Sequence, residues 1–257
     1  MTHLWTLFYG FFRREFTVRY AGTLFGGVWV LAQPLLMLAI YAFVFQRVFK
    51  VSLPDLGGAS FVAFVAAALW PWLAFQEGVM RGTQAIVANR DLVRKVSFPY
   101  QTLVLAAVAS AFVLHLAGFV VVMALLALVG EPVRVSGFPV ALWVWLVLFG
   151  LASGLALVLS AAQVVVKDVD HLLGPVFMFG FYVTPILYPL SLVPESIRGL
   201  MAFNPLVYLI EPLRGALILD QGDGLAGLMI ATAAMIVLVG FGLSFFGRLA
   251  GRFEDFF

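Results

Sequence analysis

The sequence predicts an all-α integral membrane protein. It has six transmembrane helices, an amphipathic N-terminal helix in the membrane interface, and short re-entrant helices on the outer face between spans five and six. Three observations carry this. First, of 257 residues 63% are hydrophobic and 11% charged, whereas soluble domains carry about 25% charged residues, so much of this surface must face lipid. Second, six stretches free of Asp, Glu, Lys and Arg are each longer than the roughly 18–20 residues that cross a bilayer. They are Tyr20–Gln46, Leu56–Gln76, Val96–Gly130, Val135–Val166, Leu172–Pro194 and Gly224–Gly247. Third, six of the twelve prolines lie between Pro175 and Pro212, where regular helix has to break.

The same composition excludes several classes. A net charge of +2 without a clustered basic face does not suit nucleic acid. With no Cys, disulfides, thiolate metal sites and cysteine nucleophiles are absent, and no metal site is expected. Arg13-Arg14 ahead of an apolar stretch has the look of a targeting signal, but that stretch is too long for a signal core and no small-residue cleavage site follows. Met1 onward is expected to stay with the mature protein.

Residues 4–20 are expected to form the interfacial helix. Leu4, Leu7, Phe8, Phe11 and Phe12 share one arc at helical spacing, with Arg13 and Thr17 opposite, which suits a helix lying in the interface. A simple positively charged flank is the plainer alternative. Glu15 falls inside the arc, and Arg19 is its expected i,i+4 partner. Ala21–Gly26 then offers small residues four apart, as do Gly150 and Gly154; such pairs let helices approach closely and suggest a dimer face. The spans are placed at 27–49, 60–80, 102–129, 140–166, 172–188 and 226–247. Ten Lys/Arg fall on the side of both termini and five on the other, so both termini are expected in the cytoplasm.

Between spans two and three lies the most charged inner segment. Ile86, Val87, Leu92 and Val93 interleave with Arg90, Asp91, Arg94 and Lys95, and Pro99 ends any helix there. A short amphipathic helix of this kind suits docking into a partner's groove; a solvated basic loop is the alternative. On the outer side stand Thr184-Pro185-Ile186-Leu187-Tyr188-Pro189, Asn204-Pro205-Leu206 and Glu211-Pro212-Leu213-Arg214. Non-helical backbone at membrane depth survives only inside protein or beside a water cavity, which predicts two short re-entrant helices. Glu211 and Arg214 are expected to pair at i,i+3.

The spans carry little for ion coupling. Glu77 sits near the inner end of span two, and His115, the only ionisable side chain deep in a span, is read as neutral packing. There is no P-loop: Gly242–Leu249 lacks both the Lys and the hydroxyl. No catalytic motif appears either, so the chain is not expected to be an enzyme. Energy for any pumping would come from a partner on the cytoplasmic loops.

The order of these features resembles the membrane subunit of a type-2 ABC exporter, specifically the polysaccharide-export permeases, with O-antigen export permeases as the nearest match and teichoic-acid and capsule permeases as relatives. The likeness covers nearly the whole chain. It rests on Arg14-Glu15 through Arg19-Tyr20, on Leu24-Phe25-Gly26-Gly27-Val28-Trp29, on Gln33-Pro34-Leu35, on Asn89 through Pro99, on Thr184-Pro185-Ile186-Leu187-Tyr188-Pro189 and on Asn204-Pro205-Leu206. Gln33 replaces an expected Asn and Lys167-Asp168 an expected Arg-Asp, which leaves the subfamily and its sugar open.

The resemblance implies a homodimer with two cytoplasmic ABC ATPase subunits beneath it, in a bacterial inner membrane. ATP and Mg would sit on the ATPase, and this chain would bind no cofactor. Residues 85–95 would be the coupling helix, with Ala85, Ile86, Val87, Asn89, Arg90, Asp91, Leu92, Arg94 and Lys95 as contacts. Residues 189–213 would hold the outer gate, marked by Pro185, Pro189, Asn204, Pro205, Glu211 and Arg214. The cargo would be a polysaccharide on undecaprenyl diphosphate. Arg13, Arg14 and Arg19 could attract the diphosphate or anionic lipid headgroups. Sugar rings can stack on aromatic side chains, so Trp70, Trp72, Phe177, Phe181, Tyr182 and Tyr188 are candidates for the sugar path; packing or an interfacial aromatic belt is the alternative. The same architecture could carry capsule, teichoic acid or a small molecule. A non-transporting scaffold or channel is the reading from a different class.

Overall fold

The computed structural model describes residues 2–20, 22, 26–50, 58–219 and 224–257. Among these there is no strand. Ten α-helices follow in order: α1 (Thr2–Tyr20), α2 (Trp29–Ala42), α3 (Phe61–Ala88), α4 (Arg90–Lys95), α5 (Gln101–Leu128), α6 (Phe138–Val165), α7 (Val169–Val183), α8 (Glu195–Met201), α9 (Val207–Arg214) and α10 (Leu225–Ala250). A turn at Gly26–Val28 leads into α2, and a π-helical segment, Phe43–Val48, continues it. A second π-helical segment, Gly215–Leu219, follows α9.

Among the described residues, five segments are long and apolar enough to cross a membrane: Gly26–Val48, Phe61–Ala88, Gln101–Leu128, Val135–Val165 and Leu225–Ala250. The expected fifth span, 172–188, is instead the 15-residue α7. At 1.5 Å per residue it is about 22 Å long, short of a hydrocarbon core of about 30 Å. Pro185 is the cause. The residue before a proline is pushed out of the α region, and Thr184 is extended at φ −83°, ψ 133°.

The centre of the bundle is α3, flanked by α5 and α6. Ser60 starts it by accepting the Ala63 N–H on its hydroxyl at 3.2 Å, and Glu131 accepts the Ser60 N–H at 2.9 Å. Small residues let the three helices close. A Cβ on Gly82 would lie 2.6 Å from the Ala156 Cβ, and one on Gly118 would lie 2.7 Å from the Trp70 indole nitrogen. In lipid, where apolar surface gains little by leaving solvent, such contact is the main driving force for helix association. Apolar residues of α2, of the π-helical segment after it and of α10 remain exposed, including Leu36, Ile40, Phe43, Ile236, Val237 and Phe241, as suits lipid-facing helices.

The spacing Gly150–Gly154 is used inside the chain. A Cβ on Gly154 would lie 2.9 Å from the Leu238 backbone, one on Gly242 would lie 2.6 Å from the Gly154 carbonyl oxygen, and Met235 covers Gly150. These glycines seat α10 on α6, so they are no free dimer face. The other small-residue pattern, Ala21–Gly26, lies largely outside the described residues.

The two ends of the bundle differ. One carries α4, the start of α7 and the C-terminus, where Tyr100 stacks on Phe253. The other carries the proline-rich segment, and there the Arg134 N–H donates to the Leu217 carbonyl. We call them the basic end and the proline-rich end.

Candidate functional site

Three groups of residues stand out, one at each end and one between. At the basic end the expected 85–95 helix is divided. Ala85, Ile86 and Val87 belong to the last turn of α3, with Ala85 and Ile86 buried. Asn89 breaks the helix at φ −112°, ψ 26°, and its amide donates to the Ala85 carbonyl at 2.7 Å. Only Arg90–Lys95 form α4. Arg90, Asp91, Arg94 and Lys95 are exposed, Leu92 is half-buried and Val93 is buried. The Tyr100 hydroxyl donates to the Val93 carbonyl, which pins α4 from beneath. The result is a fixed helical turn with four charged side chains outward.

Helix α1 packs along α5 with its expected arc inward: Leu7, Phe8, Phe11 and Phe12 are half-buried and Arg13 and Thr17 exposed. The Leu4 side chain lies outside the described set. Phe11 meets Phe98 at 5.4 Å between ring centres. The three arginines separate. Arg13 is exposed, Arg14 donates to the Asn89 side-chain oxygen, and Arg19 reaches the Glu77 carboxylate at 2.5 Å. The expected Glu15–Arg19 pair does not form; Glu15 instead lies 3.7 Å from Arg81, because helix packing brings α3 carboxylate and guanidinium groups against both.

Glu77 is thus a hub. Beyond Arg19 it accepts from Arg81 at 2.5 Å and meets His115 Nε2 at 2.8 Å. Three helices, α1, α3 and α5, are joined through this one carboxylate, so His115 is an ion-cluster member and more than packing. Ionisable groups at membrane depth are costly and usually paired or functional. The sequence signal was a carboxylate and a histidine inside otherwise apolar spans; what it lacked was their meeting. The cluster lines a cavity of about 690 Å³, together with Trp29, Gln33, Pro34, Met37, Leu73, Gln76, Met80 and Gln84.

An aromatic cavity of about 180 Å³ continues from it, sharing Met37, Leu73 and Gln76 and adding Tyr41, Trp72, Gly174, Phe177, Met178, Phe181 and Tyr182. Trp72 meets Phe177 and Phe181 edge-on at 6.2 and 5.8 Å, and Tyr41 stacks on Phe181 at 5.7 Å. Tyr182 is 56% exposed. Four expected path residues, Trp72, Phe177, Phe181 and Tyr182, therefore gather here. Tyr188 lies beside them, donating its hydroxyl to the Tyr182 carbonyl at 2.6 Å. Trp70 does not join them. It is 0% exposed and packs toward Gly118 of α5, because Pro71 separates it from Trp72 by two helical positions, about 200° of rotation.

At the proline-rich end, Arg214 is 0% exposed. It donates to the carbonyls of Phe64 at 3.0 Å, Pro185 at 2.5 Å and Ile186, and its guanidinium carbon lies 3.7 Å from the centre of the Phe64 ring. Glu211 is a longer partner at 3.5 Å. The expected pair is present, but Arg214 is chiefly a backbone clamp. Burial pushes the arginine down to about 10, opposed by Glu211; burial also pushes the Glu211 carboxyl up, opposed by Arg214. Asn204 donates to the Thr184 hydroxyl at 2.9 Å and accepts the Leu206 N–H. Pro189 opens the turn Leu190–Leu192, and half-buried Pro205 carries the chain from α8 toward α9. The expected 189–213 helices are α8 and α9, separated by Asn204-Pro205 and held by these contacts.

The family model for "ABC-2 type transporter" matches residues 6–218. The chain belongs to this family of membrane transporters. The match takes in most of α1, the charged turn α4, the Glu77 cluster, the aromatic cavity and the Arg214 clamp. Members similar to the chain include an O-antigen export system permease protein RfbA of Myxococcus xanthus, 32% identical over 95% of this chain and 92% of the relative. An RfbA of Klebsiella pneumoniae is 27% identical over 94% and 91%. The polysialic acid transport protein KpsM of Escherichia coli is 25% identical over 89% and 86%. As an ABC-2 type transporter the chain is a multi-pass membrane protein, and its exposed apolar helices follow from that setting.

Proposed function

We propose that the chain is the permease subunit of an ATP-driven exporter that moves a polysaccharide on undecaprenyl diphosphate across a bacterial inner membrane. The supporting observation is the pair of joined cavities along α2, α3 and α7. Polar groups lie toward the basic end and aromatic rings beyond them, a surface on which a hydrated sugar chain can slide. Relatives named for O-antigen and polysialic acid export cover most of the chain, which supports a polymeric sugar over a small molecule.

In this reading the basic end faces the cytoplasm with both termini, following the excess of Lys and Arg there. Two copies of the chain pair, and two ABC ATPase subunits carrying ATP and Mg dock beneath. The α4 turn presents Arg90, Asp91, Arg94 and Lys95 to the ATPase. Because Arg14 holds Asn89, a push on α4 is passed to α1 as well. Arg13 and the neighbouring basic side chains attract the lipid diphosphate at the membrane surface. Tyr41, Trp72, Phe181 and Tyr182 offer weak stacking to passing sugar rings, while α8 and α9 form the outer gate.

The test is purification of the tagged chain from its native membranes in mild detergent. A Walker-motif ATPase recovered in equal amount supports the exporter. Its absence after gentle crosslinking favours the scaffold or channel reading.

A further inference from the structure

The cavity around Glu77 has a composition that the export reading alone does not explain. Its polar lining comprises Gln33, Gln76 and Gln84, the ion cluster and His115. Each glutamine amide both donates and accepts hydrogen bonds. His115 is 5% exposed, and with Nε2 directed at Glu77 its Nδ1 has no hydrogen-bond partner among the described residues. Trp29 adds an aromatic side chain to the lining. A volume of about 690 Å³ falls within the range of ligand sites, about 300–1,000 Å³.

Charge decides what such a site takes. Arg19 and Arg81 bring two positive charges, and Glu77 and Glu15 bring two negative ones within ion-pair distance of them. Both guanidiniums are already ion-paired with carboxylates. A diphosphate entering here would approach Glu77 in a poorly screened setting, where like charges repel strongly. An uncharged ligand with many hydroxyls meets no such opposition, and it can use donors and acceptors together.

We infer that this cavity is a binding site for uncharged sugar hydroxyls, the first protein contact of the glycan, with Gln76, Gln84 and His115 Nδ1 as its hydrogen-bonding groups. The inference rests on the export reading and deepens it. It separates the cargo's two parts: the diphosphate stays at the basic surface, and the first sugars enter the cavity. Gln76 is shared with the aromatic cavity and accepts the Trp72 indole N–H at 3.1 Å, so a sugar released here meets Trp72 next.

The chain has no cysteine, so single thiols can be placed cleanly. Gln76→Cys and, separately, Gln84→Cys are made in the full chain, purified with whatever ATPase accompanies it, and labelled with a small charged methanethiosulfonate reagent. Mannohexaose, maltohexaose and a galactan hexamer serve as neutral probes, and inorganic pyrophosphate as the anionic one. Labelling is expected to slow by a factor of 1 + [L]/Kd, about threefold at twice Kd, with at least one neutral probe and not with pyrophosphate. Protection by pyrophosphate alone, or by none of the probes, overturns the site, as does failure of the reagent to reach either thiol in a correctly folded variant. Should both variants misfold, saturation-transfer NMR on the parent chain with the same probes decides, and absence of sugar signal overturns the site. Recovery of the ATPase without sugar protection removes this site alone; loss of the ATPase removes the export reading itself.

Discussion

Arg214 donates to the carbonyl oxygen of Phe64 at 3.0 Å while its guanidinium carbon sits 3.7 Å from the centre of that residue's ring. One side chain thereby ties α9 to the start of α3, and through Pro185 and Ile186 to the end of α7. The prolines leave backbone carbonyls without helical partners, and the guanidinium fork supplies them. Arg214→Met should strand several buried acceptors and Glu211, at a cost of about 3–5 kcal/mol. Arg214→Lys keeps the charge but has no planar fork, so it should fall between parent and Met. Thermal unfolding in detergent, followed by loss of the monodisperse peak, reads the order. Equal stability of Met variant and parent would show that the clamp is dispensable.

The Arg19–Glu77 contact makes a second prediction. Removing either partner alone leaves a partly buried charge, so Arg19→Gln and Glu77→Gln should each destabilise. Removing both should cost less than the sum, with a coupling of about 0.5–3 kcal/mol. His115 and Arg81 share Glu77, so Glu77→Gln should be the worse single change. A double-mutant cycle on unfolding temperature measures this, and strict additivity would deny the contact.

Gly154 and Gly242 face each other across α6 and α10, each without room for a Cβ. Gly154→Ala should force the helices apart and destabilise by about 1–3 kcal/mol. Gly240→Ala, with open space around it, should be silent or slightly stabilising, since alanine is the better helix former. Comparison of the two by membrane accumulation and unfolding temperature separates packing at α6–α10 from a general intolerance of change in α10.

The spans were legible because lipid excludes charge, and the gaps between charged residues locate them; the second gap closes at Gln76, but α3 runs on through Glu77 and Arg81 to Ala88, because those charges are paired inside the bundle. The α7 boundary was misplaced because composition continues apolar through Ile186 and Leu187 while Pro185 has already ended the helix. The glycines of α6 were legible as a close-packing face, but spacing does not say which helix arrives, and it is α10 of the same chain. The Glu77 cluster was harder. Its members lie 58 and 38 residues from Glu77 in sequence, and only the folded bundle brings Arg19 and His115 together. Trp72, Phe177 and Phe181 were singled out by their aromatic chemistry and line one cavity; Trp70 was included for the same reason, and helix rotation turns it away from that cavity.

The α4 turn yields the last prediction, because it separates a surface role from a structural one. Asp91 and Arg94 are exposed and, among the described residues, their side chains make no hydrogen bond or ion pair, and surface changes of that kind usually shift stability by less than about 0.5 kcal/mol. Asp91→Arg and Arg94→Glu should therefore leave unfolding temperature and membrane level unchanged while reducing recovery of the ATPase, and the charge-swapped double variant should not restore it, since each group would face the partner rather than the other. Asn89 is different: it is buried, donates to Ala85 and accepts from Arg14. Asn89→Leu should lower unfolding temperature by loosening the junction of α1, α3 and α4. If instead Asp91→Arg destabilised the isolated chain as much as Asn89→Leu, the turn would be part of the bundle's own packing, and its outward charges would no longer mark a docking surface.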